Sequence, residues 1–159
     1  GVNSNAGMIG INADLPVAKM LSVGAGVGAS IWGSKTYAAI TYYFNPCYKG
    51  WAVSAGITHS SGLDDVKRTL HTTAGKEDVS LDLHAMTNVY FAGYRYWNIG
   101  RRGNRFYLML GWSAAVTSPG YKVLSGQVLT QDQKDRIKAF APGGLVIGTG
   151  FYFAFHSRN

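Results

Sequence analysis

Apolar and small polar residues alternate one for one along most of this chain, and a period of two is typical of β-strands. Between Leu21 and Ile31 every odd position is apolar, while every even position is glycine or serine. The same alternation, or a run that is aromatic on both sides, recurs further along the chain. Seven strands are therefore predicted, over residues 9–15, 21–31, 36–44, 51–58, 80–91, 106–114 and 145–155.

The composition of the two strand faces indicates a membrane protein. Strand surfaces of soluble proteins carry charges that guard against aggregation, whereas the polar face here consists mainly of Gly, Ser, Asn and Tyr. Such side chains fit the narrow interior of a barrel. We therefore predict an all-β, up-and-down antiparallel β-barrel of about eight strands, formed by residues 1–159 as one domain. The apolar face should then point outward to lipid, including Leu21, Val23, Val27, Ile31, Leu108, Leu110 and Ile147.

A soluble alternative stays open at this point. A lipocalin-like ligand-binding barrel would turn the same apolar face inward and expose the small polar face to water. The direction in which Val23, Val27, Leu108 and Leu110 point distinguishes the two hypotheses.

The lengths of the connections predict the orientation of the barrel. The turns at 15–19, 45–50 and 98–104 are short, as on the periplasmic side of outer-membrane barrels. The segments 62–78 and 118–142 are long, as on the extracellular side. Because the strands are committed to barrel geometry, any binding function is expected on these long segments.

The long segment 118–142 is also predicted to carry one short helix, over residues 134–140. Thr130 and Gln133 form a capping box ahead of it. Bacterial barrels have an even number of strands, so the seven predicted strands require an eighth. A further N-terminal strand, residues Tyr121–Leu129 or another chain could supply it.

Charge and aromatic residues favour lipid as the partner. Charged residues make up only 14% of the chain, and the net charge is +7. No run of Lys and Arg exceeds two residues, so nucleic acid is not expected as a partner. Many aromatic and basic residues lie beside the short turns, which predicts an interfacial girdle. This girdle is expected to include Tyr42, Tyr43, Phe44, Trp51, Tyr94, Tyr96, Trp97, Phe106, Tyr107, Phe151, Phe153 and Phe155, with Lys49, Arg95, Arg101, Arg102 and Arg105 reaching lipid phosphates.

Two stretches carry a family resemblance. Residues Gly150-Phe151-Tyr152-Phe153-Ala154-Phe155 resemble the C-terminal assembly signal of outer-membrane proteins, although four residues follow them. Gly93-Tyr94-Arg95-Tyr96, the strand from Arg105 to Val116 and Ala141-Pro142-Gly143-Gly144 resemble small Gram-negative outer-membrane β-barrel proteins of the OmpA/OmpX type with unassigned function. The resemblance implies location in the cell outer membrane, in contact with lipid and lipopolysaccharide. It implies a structural or surface-binding role without catalysis.

His59 and Ser61 are the weak candidates for catalysis. This His-x-Ser pair resembles the motif of lipid A 3-O-deacylases, which are small outer-membrane barrels in which His activates a Ser nucleophile. Period two places both side chains on one strand face. However, the residue after the serine is Gly62, where that family has Asn, and no acid follows at the family's spacing. A deacylase-like esterase is therefore the alternative function.

Polar residues on the inward register form a second candidate site. Asp82, His84 and Asn88 are predicted on one face of the fifth strand, and Asp14 points inward from the first. Such groups can act as acid and base, but in a narrow interior they more often satisfy one another. We expect this lumen polar cluster to be structural. The sequence contains no metal-ligand spacing and no nucleotide fingerprint, so no cofactor is expected.

Overall fold

The computed structural model describes residues 5–72, 75–100, 103–117, 121–125 and 143–153, and its regular structure there is entirely β. No stretch of these residues forms a helix long and apolar enough to cross a membrane. The predicted helix at 134–140 lies outside the described residues. The ten strands are β1 (Ile9–Ala18), β2 (Leu21–Ser30), β3 (Gly33–Tyr43), β4 (Gly50–Ser60), β5 (Leu63–Thr72), β6 (Gly75–Leu83), β7 (Met86–Ile99), β8 (Asn104–Ala115), β9 (Tyr121–Ser125) and β10 (Gly144–Tyr152).

Seven strands form the main sheet, in the order β1-β2-β3-β4-β7-β8-β10. They overlap the seven strands predicted from the alternation, although the first part of the predicted strand 80–91 belongs to β6. Every neighbouring pair is antiparallel. The sheet curls into a half-barrel, and β1 and β10 are its two edges. Because six antiparallel steps separate them, β1 and β10 run in the same direction. We call the gap between these two edges the seam.

The remaining strands form a second sheet in the order β5-β6-β9. The long connection predicted at 62–78 contains β5 and the start of β6, which pair as a hairpin. Strand β9 lies within the predicted segment Tyr121–Leu129, but it pairs with β6 and so does not fill the seam. The second sheet follows the end of β4, and the indole Nε1 of Trp32 donates a hydrogen bond to the carbonyl of His84 across 2.9 Å.

The apolar register of the main sheet faces outward, as predicted. Val23 is 44% exposed and Leu110 is 58% exposed. Val27, Ile31, Leu108 and Ile147 are exposed as well, whereas Leu21 is half-buried. A lipocalin-like barrel requires the opposite orientation, which these side chains do not have.

The concave side of the sheet is filled mainly by tyrosine. Eight of the ten tyrosines belong to or pack against one buried cluster: Tyr37, Tyr43, Tyr48, Tyr90, Tyr94, Tyr96, Tyr107 and Tyr152. Gly26 on β2 leaves room for one of these rings. A Cβ added at Gly26 would lie 2.4 Å from a ring carbon of Tyr37 and 2.7 Å from the carbonyl oxygen of Ile11. The inward glycines of β2 are therefore required by close neighbours: the Tyr37 ring at Gly26, the Asp14 side chain at Gly24 and the backbone of Ala6 at Gly28.

Two neighbouring glycines give a matched test of this packing. A Cβ at Gly111, on the concave side, would lie 2.3 Å from the carbonyl oxygen of Phe91, so the backbone of β7 would have to shift. We expect Gly111→Ala to lower the free energy of unfolding by about 1–3 kcal/mol, as overpacking does. Gly93 faces outward, and a Cβ there meets only the carbonyl oxygen of Leu110 at 3.8 Å. Denaturant titration of Gly93→Ala should show an unchanged free energy of unfolding. Equal losses of stability in Gly111→Ala and Gly93→Ala would contradict this account.

Candidate functional site

The turns that join β1 to β2, β3 to β4 and β7 to β8 lie at one end of the main sheet, which we call the short-turn end. Aromatic side chains encircle its outer wall. The ring centroids of Trp97 and Phe106 are 5.7 Å apart, and those of Phe106 and Phe151 are 5.3 Å apart. Tyr42, Phe44, Trp51 and Phe153 also face outward there. This part of the predicted girdle is present, and Arg101, Arg102 and Phe155 lie outside the described residues.

The other aromatic residues expected in the girdle point to the concave side. Tyr43, Tyr94 and Tyr96 are almost fully buried, and Tyr107 packs against the same cluster. The prediction of one outward girdle is therefore wrong for these four residues. Alternation along each strand sends every second side chain inward, so adjacent aromatic residues fall on opposite faces.

Arg95 is one of the residues that line an open cleft on the outer wall of the short-turn end. It is directly opposite Trp51 on β4, and Trp97 follows two residues later on the same face of β7. Its guanidinium carbon is 5.2 Å from the ring centroid of Trp51 and 5.8 Å from that of Trp97. Both distances suit cation–π contacts. The cleft has a volume of about 530 Å³ and is lined by Phe44, Asn45, Lys49, Gly50, Trp51, Arg95, Tyr96, Trp97 and Asn98.

Arg105 lies on the concave side of the same end, surrounded by tyrosines. Its guanidinium carbon is 5.0 Å from the ring centroid of Tyr96, 5.2 Å from Tyr152, 5.6 Å from Tyr43 and 6.0 Å from Tyr48. It also donates a hydrogen bond to the backbone carbonyl of Tyr48.

The sequence analysis had placed Arg105 at the lipid phosphates. The structure turns it inward, because it shares the register of Tyr107 and Met109 and not that of Leu108 and Leu110. The period of β8 alone could have shown this.

The predicted lumen polar cluster is not assembled as one group. Asn88 is fully buried on the concave side of β7, and Asp14 is half-buried on β1, where it interacts with Tyr152 and Arg105. Asp82 is half-buried on β6, in the second sheet, and His84 is exposed between β6 and β7. The prediction of one continuous strand over 80–91 is wrong, because the chain changes sheets at residues 84–85. Asp82 and His84 therefore do not share a face with Asn88.

His59 and Ser61 make separate hydrogen bonds. The Nδ1 atom of His59 lies 3.1 Å from the hydroxyl of Thr87, on the exposed outer face. The hydroxyl of Ser61 donates to the carbonyl of Gly62 across 3.0 Å and accepts from the backbone N–H of Ser34 across 3.1 Å. The serine proton is thus directed to a carbonyl instead of to the imidazole. This arrangement is a strand-end hydrogen-bond network and does not match a nucleophile with its base.

The chain before β1 turns into the concave side. Asn5 is buried, and its side-chain amide donates to the hydroxyls of Tyr90 and Tyr94, each across 3.3 Å. Gly28 makes space for this turn, since a Cβ there would lie 2.0 Å from the carbonyl oxygen of Ala6. The alternation of residues 9–15 does not indicate this contact, because Asn5 lies before the strand.

Comparison with known proteins does not add a function. No family model, no curated protein and no solved structure matches this chain. Among the described residues, no group of three or more His, Cys, Asp and Glu side chains could hold a metal ion. The features that bear on function are therefore the two faces of the main sheet and the cleft around Arg95.

Proposed function

We propose that this protein is a transmembrane β-barrel of a Gram-negative outer membrane, with a structural or surface-binding role and no catalytic activity. The observation that carries the proposal is the exposed apolar outer face of the main sheet. Large side chains such as Ile57 at 55%, Phe91 at 59% and Trp112 at 63% exposure occupy successive strands. Soluble proteins rarely expose such a continuous apolar surface, whereas lipid acyl chains cover it without cost.

The placement of charge supports the same proposal. Along the described strands of the main sheet, Arg95 is the one Lys, Arg, Asp or Glu side chain on the outward register, and it lies in the aromatic girdle at the short-turn end. Lys35, Asp14 and Arg105 face the concave side. Charges near the bilayer midplane are costly, while those at the interface are tolerated. The outward charge thus lies where a bilayer would accept it.

We further propose that the barrel is closed by an eighth strand in the seam. Since β1 and β10 run in the same direction, a single strand between them can be antiparallel to both. Ile9 and Ile11 on β1 are 81% and 77% exposed, more than the outward residues of strands with two neighbours. An eighth strand would cover the edges of β1 and β10 and leave no unpaired backbone groups in lipid.

Disulfide formation between pairs of introduced cysteines tests for the closing strand. The parent protein carries Cys47→Ser, and oxidation is carried out in isolated cell envelopes. Ile11→Cys with Val27→Cys should form a disulfide on mild oxidation, because these residues are directly paired across β1 and β2. Ile11→Cys with a cysteine at Leu145, Ile147 or Thr149 should not. An intervening strand would hold β1 and β10 about 10 Å apart, beyond the roughly 7 Å between Cα atoms that a disulfide spans. A disulfide across the seam would mean closure with seven strands.

Location and orientation are tested by labelling in whole cells. The natural Cys47 is exposed in the turn between β3 and β4, at the short-turn end. A maleimide that cannot cross the outer membrane should label Cys47 only after the outer membrane is permeabilised. A cysteine at Thr117, which is exposed at the opposite end, should be labelled in intact cells when Cys47 is replaced by serine. Recovery of the protein in a soluble fraction would overturn the proposal, and the reverse labelling pattern would overturn the orientation.

A further inference from the structure

We propose that the cleft around Arg95 binds the phosphate of an anionic lipid head group, with one acyl chain lying against the outer wall next to it. This inference rests on the proposed function, because it requires the outer wall to be in a bilayer. It adds a specific ligand class and a specific binding site to that proposal.

The guanidinium of Arg95 is positioned in advance for an anion. Trp51 holds it from the neighbouring strand and Trp97 from its own strand, at the distances given above. A Cβ at Gly50 would lie 3.7 Å from Nη1 of Arg95, so the absence of a side chain at this position keeps space beside the guanidinium. Gly50 has a φ of 82°, a conformation that favours glycine. A planar guanidinium held in this way can present two N–H groups to phosphate oxygens.

Other groups of the cleft complement a phosphate diester. Lys49 adds a second positive charge, and Asn45 and Asn98 carry side-chain amides that can donate hydrogen bonds. No Asp or Glu is among the residues that line the cleft. The cleft has a volume of about 530 Å³ and is open along the outer wall. The cleft is therefore cationic, rich in hydrogen-bond donors and large enough for a head group.

An apolar notch continues from the cleft toward the middle of the outer wall. Gly93 precedes Arg95 on the same outward face, and its cross-strand neighbours are Val53 and Leu110. Apart from the carbonyl oxygen of Leu110 at 3.8 Å, nothing lies within contact distance of a Cβ at Gly93. An acyl chain attached to a head group at Arg95 would meet this notch first. This continuity favours a lipid over a free anion as the occupant.

Bromine quenching of tryptophan fluorescence tests the site directly. The protein with Trp112→Phe is refolded into phosphatidylcholine vesicles in which an increasing fraction of either phosphatidylglycerol or phosphatidylcholine is brominated. Trp51 and Trp97 then report contact with lipid, while the buried Trp32 contributes a constant background. From the quenching at equal fractions of the two brominated lipids, we expect a relative affinity for phosphatidylglycerol over phosphatidylcholine of about fivefold or more. This is the factor that one basic side chain contributes at an anionic surface. Arg95→Gln should lower the preference by about that factor, and Arg95→Lys should retain part of what Arg95→Gln loses.

Two further variants and one soluble probe separate the outcomes. Lys19→Gln removes a positive charge at the same end but outside the cleft, so it should keep the preference. Gly93→Leu fills the notch and should weaken the preference although every charge is kept. Equal quenching by both lipids, or a preference that survives Arg95→Gln, would overturn the lipid site. Inorganic phosphate is also titrated into the protein in a zwitterionic detergent. If the protein binds phosphate, loses this binding with Arg95→Gln and shows no lipid preference in vesicles, the ligand is free phosphate.

Insertion is measured on the same samples by the heat-dependent shift in gel mobility. Failure to insert would refute the proposed function, and the phosphate titration in detergent would still decide whether Arg95 forms an anion site. Normal insertion without lipid preference would refute the site alone.

Discussion

Val23→Arg is expected to lower the free energy of unfolding in lipid vesicles by about 1–3 kcal/mol. Arginine on a lipid-facing barrel surface costs about 2–4 kcal/mol at the midplane and less toward the interfaces, and Val23 lies between the short-turn end and the middle of β2. Val23 faces outward and lies between Leu15 on β1 and Ile40 on β3. A guanidinium at this position would have no polar partner on the outer wall and would have to reach an interface. Urea titrations of vesicle-inserted protein measure the change.

Ser34→Arg is the matched control for this substitution. Ser34 is exposed on the outward register at the other end of β3, one residue after its start. The same side chain near an interface should cost only about 0–1 kcal/mol. Equal effects at Val23 and Ser34 would contradict exposure of this face to a bilayer, because a water-exposed surface tolerates arginine at both positions.

Arg105→Met is expected to cost about 3 kcal/mol, because it removes several cation–π contacts together with a hydrogen bond that carries charge. Four tyrosine rings surround the guanidinium, and the backbone carbonyl of Tyr48 accepts its hydrogen bond. Asp14 would also lose the cation that interacts with it. The urea midpoint in lipid vesicles reports the loss.

Two related variants separate charge from shape at this position. Arg105→Lys keeps the positive charge but loses the planar fork, so its effect should be intermediate. In the double variant Asp14→Asn with Arg105→Met, the added loss from Asp14→Asn should be smaller than in the parent protein, since the two side chains interact. A stability of Arg105→Met equal to that of the parent would show that the tyrosine cluster holds the short-turn end without the cation.

The strands of the main sheet could be predicted because one simple period governs them. In β2, glycine and serine on one face and Val23, Ala25 and Val27 on the other define both the strand and its outward side. The same parity correctly assigns Leu108 and Leu110, and it would have assigned Arg105 and Tyr107 inward. The same parity also separates adjacent aromatic residues at the turns onto opposite faces, so their position in the sequence alone does not place them in one girdle.

Other features depend on pairing that local patterns do not encode. Alternation through residues 80–91 is broken at Met86 and Thr87 and then resumes in the same register. The chain nevertheless changes sheets at His84, because β6 pairs with β5 and β9 while β7 pairs with β4. The Arg95 cleft likewise arises from a cross-strand neighbour, Trp51, which is distant in sequence. The basic and aromatic composition near the turns indicated lipid, but the arrangement of Arg95 between two indoles required the register of β4 and β7.

The central claim is that the apolar face of the main sheet lies in a bilayer. The most direct measurement is the collision accessibility of spin labels placed one by one along β3, from Ser34 to Tyr42, in refolded vesicles. We predict that labels at the outward positions Ala38 and Ile40 are reached by dissolved oxygen and not by a water-soluble nickel chelate. Labels at Tyr37 and Ala39, which are buried on the concave side, should be poorly reached by both. Free access of the nickel chelate to Ala38 and Ile40 would contradict the account.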